Sequence, residues 1–176
     1  MKQLTLVIEP DERLHQTTKK LKEIPADIME TFDTMAEIMG KFDGIGLAGP
    51  QVGLDYSIAI IDAETIAFEE KKETPKEKYL KLINPEITFF SDEICTYEEG
   101  CLSLPTIYYK VDRPKTITLK YLDEKGNTKE LTADGLLSRC IQHEVDHLNG
   151  KIFTDYVSAL KRKLALNKLK KIKISK

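Results

Sequence analysis

The chain has 176 residues, and its 27 basic and 29 acidic side chains leave a net charge of -2, which excludes the overall positive field of a nucleic-acid binder and any strong bias toward a membrane surface. Its length suits one domain over residues 1–176 with a hydrophobic core of its own. The sequence contains no run of 18 or more apolar residues and no secretory signal, and its three cysteines lack framework spacing; we expect a soluble protein of the reducing cytoplasm, with no membrane partner.

In chain order, the first predicted element is an amphipathic helix over residues 25–39, with Ile28, Phe32, Met35 and Met39 facing inward and Gly40 as its stop. Gly44-Ile45-Gly46-Leu47-Ala48-Gly49-Pro50-Gln51 follows. Its glycine spacing fits neither a dinucleotide fingerprint nor a phosphate-binding loop, so it reads as a connector to a strand at 57–62. Gln51 nevertheless brings an uncharged amide that can donate a hydrogen bond to a developing oxyanion. Short strands are expected at 79–83, 86–90, 115–121 and 128–131, the last two joined as a hairpin around 123–127. The charged stretch 69–78 reads as a surface loop.

Glu98-Glu99-Gly100-Cys101-Leu102-Ser103-Leu104-Pro105 sets a thiol among polar groups, beside a glycine that permits close backbone approach. A helix then opens at Asp134-Gly135 and closes at Asn149-Gly150. Leu137, Ile141, Glu144, Val145 and Leu148 share one face of it, so the Glu144 carboxylate lies along an apolar stripe, where burial is costly without a partner or a task. This helix carries His143-Glu144-Val145-Asp146-His147. Residues four apart differ by about 40° around a helix and about 6 Å along it, so both imidazoles can reach one ion while Glu144 flanks it. That spacing is used by metal-dependent hydrolases.

Two histidines leave a tetrahedral ion short of a protein ligand. His15, the only other histidine, sits among Arg13, Gln16, Lys19 and Lys20 in a segment that reads as solvated, and Cys101 is the better candidate. Cys95, Cys101 and Cys140 show no CxxC spacing, and Cys140 reads as an ordinary small buried hydrophobe. The chain ends in a predicted basic helix over 158–176, in which Lys161, Arg162, Lys163, Lys168, Lys170, Lys171, Lys173 and Lys176 flank a stripe of Leu160, Leu164 and Leu169. Strands grouped ahead of the metal-binding helix give an α+β fold: antiparallel β-sheets wrapped around that central helix, with N-terminal and C-terminal helices.

Taken in order, GIGLAGPQ, EGCLS and HEVDH resemble the three motifs of the peptide deformylase family, a GxGLAAPQ-like loop, EGCLS and HExDH. The likeness extends through residues 10–14, Ile83-Asn84-Pro85 and Asp134-Gly135-Leu136-Leu137. Two departures stand out: Gly49 replaces the usual Ala and should loosen its loop, and the 69–78 stretch is longer than expected. The resemblance implies a hydrolase that removes the formyl group from the N-terminal formylmethionine of nascent peptides and releases formate. It implies one divalent ion held by Cys101, His143 and His147, with Fe(II) the physiological metal and Zn(II), Ni(II) or Co(II) able to load the purified protein. Glu144 would move the protons, and the Gln51 amide and the Leu102 N–H would meet the oxyanion. The peptide would lie extended beside Ile45, Gly46 and Leu47, near Gly100. Leu136, Cys140 and Ile45 are either the wall of the methionine pocket or plain core. Glu99, Asp146 and Arg113 either orient the ligands or form an unrelated surface ion pair. The basic tail is either a solvated helix or a contact with the ribosome near the peptide exit. A general HExxH protease would need another third ligand and would leave EGCLS and GIGLAGPQ unexplained; a non-catalytic binding protein would be expected to have lost Glu144 or a ligand.

Overall fold

The computed structural model describes residues 4–172. Its first helix, α1 (Ile28–Lys41), begins three residues later than the sequence predicts, because Pro25 opens a turn whose carbonyl accepts the Ile28 N–H at 3.1 Å. Gly40 lies inside the helix rather than ending it. The inward face is the expected one: Ile28, Phe32, Met35 and Met39 are buried against Leu47, Ile58, Ile60 and Ile83.

Five strands form one antiparallel sheet: β1 (Gly46–Ala48), β2 (Ile58–Asp62), β3 (Tyr79–Phe90), β6 (Thr116–Leu122) and β7 (Thr128–Asp134), in the order β1-β2-β3-β6-β7. β4 (Ile94–Cys101) and β5 (Leu104–Pro114) form a separate two-stranded sheet. The strands predicted at 79–83 and 86–90 are one strand with an irregularity between Ile83 and Glu86. Asn84 adopts φ 50° there, which lets Pro85, lacking an N–H, sit inside a strand. The Asn84 side chain meanwhile bridges to the backbone N–H and C=O of Leu21 at 2.8 Å each. The predicted hairpin turn closes through the Asp123 carboxylate, which accepts from the N–H groups of Lys125 and Asn127.

The connector between β2 and β3 contains a helix that the sequence reading missed, α2 (Ala63–Glu69). Asp62 caps it through the Thr65 N–H at 2.9 Å, and Ile66 and Ala67 are buried. At seven residues it is too short for helical periodicity to separate it from the charged loop after it.

Helix α3 (Gly135–Leu148) runs across the inner face of the five-stranded sheet, where Ile141, Leu148 and Cys140 pack with Ala48, Ile61 and Leu119. On its other side the β4–β5 hairpin brings Leu104, Ile107 and Val111 into a cluster with Ile152, Phe153 and two residues of the last helix, α4 (Ala159–Lys171). The architecture is α+β, with antiparallel sheets around a central helix. The predicted stripe on α4 needs correction. Leu160 is 67% and Leu164 55% exposed, and the face that docks is Ala165 with Leu169. One residue is a 100° step around a helix, so a stripe drawn through 160 and 164 misses the face containing 165 and 169. Lys173 and Lys176 lie outside the described residues. The expectation for Gly49 also fails: residues 49–52 form a fully buried 3-10 turn, and a Cβ on Gly49 would stand 2.7 Å from the Tyr56 carbonyl oxygen. Here glycine lets two backbones pack closely rather than loosening the loop.

Candidate metal centre

Helix α3 places His143 and His147 one turn apart on the same side, with ring centroids 4.9 Å apart. The β4–β5 hairpin supplies the third group. Its inward positions recur every second residue along β4, so Glu99 and Cys101 both face α3. Gly100 between them has the Tyr108 ring against it, and a Cβ there would lie 2.5 Å from a ring carbon, so glycine makes room for that exposed ring over the strand. Cys101 Sγ is 3.2 Å from His147 Nε2, and one ligand atom from each of Cys101, His143 and His147 lies within 4.8 Å of the others.

These residues fit one transition-type ion. Ligand distances of about 2.0–2.3 Å around a common centre require donor atoms this close together. A thiol with two imidazoles also suits such an ion better than magnesium or calcium. His143 Nδ1 is 3.0 Å from Glu99 Oε2, which turns Nε2 toward the centre. His15, the alternative third ligand, instead lies 3.0 Å from Glu9 Oε1 through its Nε2.

Glu99 is the hub of a buried network, which rules out the reading of a surface ion pair. Arg113 Nε and Nη2 donate to its two oxygens at 2.6 and 3.0 Å, and Arg113 Nη1 donates to Asp146 Oδ2 at 2.7 Å. The Tyr156 hydroxyl donates to Asp146 Oδ1 at 3.0 Å. A further cation that the sequence reading missed, Arg139, donates to Glu99 Oε1 at 2.5 Å. Its signal was available: one turn before His143, a guanidinium on the buried side of the helix needs a carboxylate. Burial alone would raise the Glu99 carboxyl, but His143 and Arg113 together hold it well below the usual carboxylate range. Burial opposes the charge on Arg113, and Glu99 and Asp146 outweigh it, so its pKa rises. Burial also opposes protonation of His143, yet its contacts with Cys101 and Glu99 carry its pKa well above the usual value; burial and the neighbouring His143 hold His147 well below.

Glu144 is in the opposite situation. It is buried, its Oε2 has no hydrogen-bond partner among the described residues, and burial pushes its pKa up to about 7. Gly46 of β1 lies directly against it: a Cβ there would overlap Glu144 Oε1 and Cys140 Sγ. Gln51 is held by its carbonyl oxygen, which accepts the Ala48 N–H at 2.8 Å, so its amide nitrogen points to Cys101 Sγ and Ser103 Oγ at 3.3 Å each.

A cavity of about 460 Å³ opens over this group. Gln51, Gly100, Cys101, Leu102, His143 and Glu144 form its floor, and Ile45, Gly46, Leu136 and Cys140 stand at its side. Ile45, Leu136 and Cys140 also pack into the sheet–helix core, so they are wall and core at once. Leu47 does not line the cavity: its side chain is fully buried against α1, because alternation along β1 sends it to the face opposite Gly46. β1 is the edge strand of its sheet. The Asp62 N–H donates to the Ile45 carbonyl at 2.9 Å, so the antiparallel alternation turns the Gly46 peptide groups away from β2.

A thiol and two imidazoles beside a buried carboxylate, at the floor of a cleft in an α+β fold, define a metal-dependent hydrolase. Residues 3–163 match the polypeptide deformylase family. The peptide deformylase of Agrobacterium fabrum is 43% identical over 94% of each chain. Among solved structures, a peptide deformylase from Ehrlichia chaffeensis in complex with actinonin superposes with a TM-score of 0.88 at 38% identity, covering 99% of this chain and 100% of that one. One from Synechococcus elongatus, also in complex with actinonin, gives 0.84 at 41% identity, over 95% and 88%. The chain belongs to the polypeptide deformylase family.

The raised pKa of Glu144 has a measurable consequence in metal-free protein. An acid whose pKa is higher folded than unfolded favours the fold below its unfolded pKa and loses that contribution as pH rises through the folded value. Metal-free protein should therefore lose stability relative to metal-free Glu144→Gln between pH 4.5 and about 7, by roughly 3 kcal/mol, with no further change above. Urea denaturation of both proteins across pH 4.5–8.5 checks this, and a difference that does not vary with pH would contradict it.

Proposed function

We propose that this chain hydrolyses the formyl amide at the N-terminal formylmethionine of nascent polypeptides, giving formate and a free amino terminus. The observation that carries this reading is the buried Glu144 carboxylate, unpartnered at the cavity floor beside Cys101, His143 and His147. A divalent ion held by those three residues would supply Lewis acidity and lower the pKa of water; we assign Fe(II) as the physiological ion on the family likeness, since zinc binds such a donor set at least as tightly. Glu144, buried beside the three ligands, takes the proton from the attacking water and returns it to the departing amine. The Gln51 amide N–H, aimed by the Ala48 bond, and the backbone N–H of Leu102 in the β4–β5 turn meet the developing oxyanion. The peptide adds as a strand to the open edge of β1 at Gly46, and the methionine side chain enters between Ile45, Leu136 and Cys140.

We also propose that α4 contacts ribosomal RNA. Lys163, Lys170 and Lys171 are exposed, whereas Lys168 Nζ donates to the Thr106 carbonyl at 2.8 Å and Arg162 pairs with Asp155 at 2.7 Å. Because α4 also closes the third core cluster, charge reversal at Lys163, Lys170 and Lys171 isolates the contact better than deletion. Binding of the intact protein to ribosomes should fall steeply with salt, and the reversed protein should bind weakly at all salts while turning over short formyl peptides normally. Equal ribosome binding by the two proteins would sink the contact.

For the reaction itself, Glu144→Gln should keep about one ion per chain and lose formate release from formyl-Met-Ala-Ser by ~10²- to 10⁴-fold or more. Cys101→Ser should instead weaken retention of the ion. Cleavage of an internal peptide bond by the parent protein in place of formate release would favour the protease reading. Near-normal turnover by Glu144→Gln would remove Glu144 from the proton transfers.

A further inference from the structure

The connector between β2 and β3 holds the entrance of the catalytic helix. Helix α3 starts without a cap of its own: Asp134, at the N-cap position, makes no side-chain cap bond, and Gly135 follows at φ 57°. The first N–H groups of a helix need acceptors, and the one at Leu136 finds a remote acceptor in Glu70 Oε1 at 2.8 Å. Glu70 sits just past the end of α2, and its carboxylate is so close to Gly135 that a Cβ there would overlap Oε1. Lys72 locks the arrangement. Its ammonium lies 2.7 Å from Asp134 Oδ1 and 3.1 Å from Glu70 Oε2, which ties up the carboxylate that would otherwise cap the helix and braces the one that does. A negative charge at this end of α3 also favours the helix dipole.

The clamp is anchored at both ends. Ile66 of α2 packs in the same cluster as Ile141 of α3, and Asp62, the cap of α2, donates its backbone N–H to the Ile45 carbonyl. The segment from Asp62 to Lys72 thus touches the backbone of both Ile45 and Leu136, two residues that line the cavity.

We propose that Glu70 is a positioning residue: by capping α3 from α2 it fixes Leu136 and sets the fit of the pocket for the substrate's first side chain. This rests on the reading of that cavity as the methionine pocket, but the contact itself is tested without turnover. Exchange of the Leu136 amide hydrogen should accelerate in Glu70→Ala by between about twofold and thirtyfold, the range that loss of a helix cap spans, and return toward the parent rate in Glu70→Gln, which keeps an acceptor oxygen. With formyl-Met-Ala-Ser, Glu70→Ala should raise KM severalfold with kcat within about twofold and an unchanged metal content, and should narrow the preference for formyl-Met over formyl-Leu peptides; Glu70→Gln should restore both. A general loss of folded protein would lower the apparent kcat for every substrate alike and leave that preference intact. If Glu70→Ala does not fold, Glu70→Asp, one methylene short of Leu136, is read in the same way. Unchanged Leu136 exchange in the folded variant overturns the clamp, and faster exchange with an unchanged KM and substrate preference overturns its role in fit. A parent protein that releases no formate would count against the proposed reaction while leaving the exchange result to decide the clamp.

Discussion

Everything at the centre of this protein follows from sending a helix with ionisable groups through the interior. Burying a charged side chain is expensive unless it is paired and hydrogen-bonded. Helix α3 nevertheless buries Arg139, Glu144 and His147 within three turns. Glu99 answers part of that demand, since it binds Arg139 and His143 of the helix together with Arg113 of β5. Such a network is weak as a source of stability, because desolvation offsets most of the Coulombic gain. Its effect is orientation: with Glu99 fixed by two guanidinium groups, the His143 ring has one direction in which to present Nε2. Glu144 Oε2 and His147 Nδ1 are left without a hydrogen-bond partner among the described residues, and burial raises the Glu144 pKa.

Close backbone approach is the second condition. Gly46 brings the edge of β1 against Glu144 and Cys140, and Gly100 brings β4 against Tyr108. A methyl group at Gly46 would collide with the buried Glu144 and Cys140 side chains of α3, whereas at Gly100 it would displace the exposed Tyr108 ring. The same edge strand that Gly46 brings near the carboxylate turns the Gly46 peptide groups away from β2, so the geometry that buries Glu144 also sets an unpaired strand edge beside it.

The sequence revealed the parts of this arrangement whose signals are local. The HEVDH spacing, the ends of α3 at Asp134-Gly135 and Asn149-Gly150 and the inward face of α1 all have local sequence signals, and they matched. The two-stranded sheet escaped notice because its pattern is atypical: β4 turns Cys95, Glu99 and Cys101 inward, where a strand pattern expects apolar residues. In β5, Thr106 at φ 66° shifts the alternation by one residue between Leu104 and Ile107. That Cys101 is the third group near the two histidines came from elimination and resemblance, and its proximity depends on a fold-level contact that no local pattern encodes. The Glu70–Leu136 bond, between residues 66 apart, belongs to the same class. On α4 the error was one of phase, since a helix with leucines at 160, 164 and 169 gives no internal sign that 165 is the buried neighbour.

The central claim is that Cys101, His143 and His147 hold one ion together. X-ray absorption spectroscopy on protein loaded with a single equivalent of metal under anaerobic conditions tests it directly. The account predicts one sulfur and two imidazole nitrogens around the ion, with the sulfur signal lost in Cys101→Ser. A parent spectrum without a sulfur neighbour would contradict it.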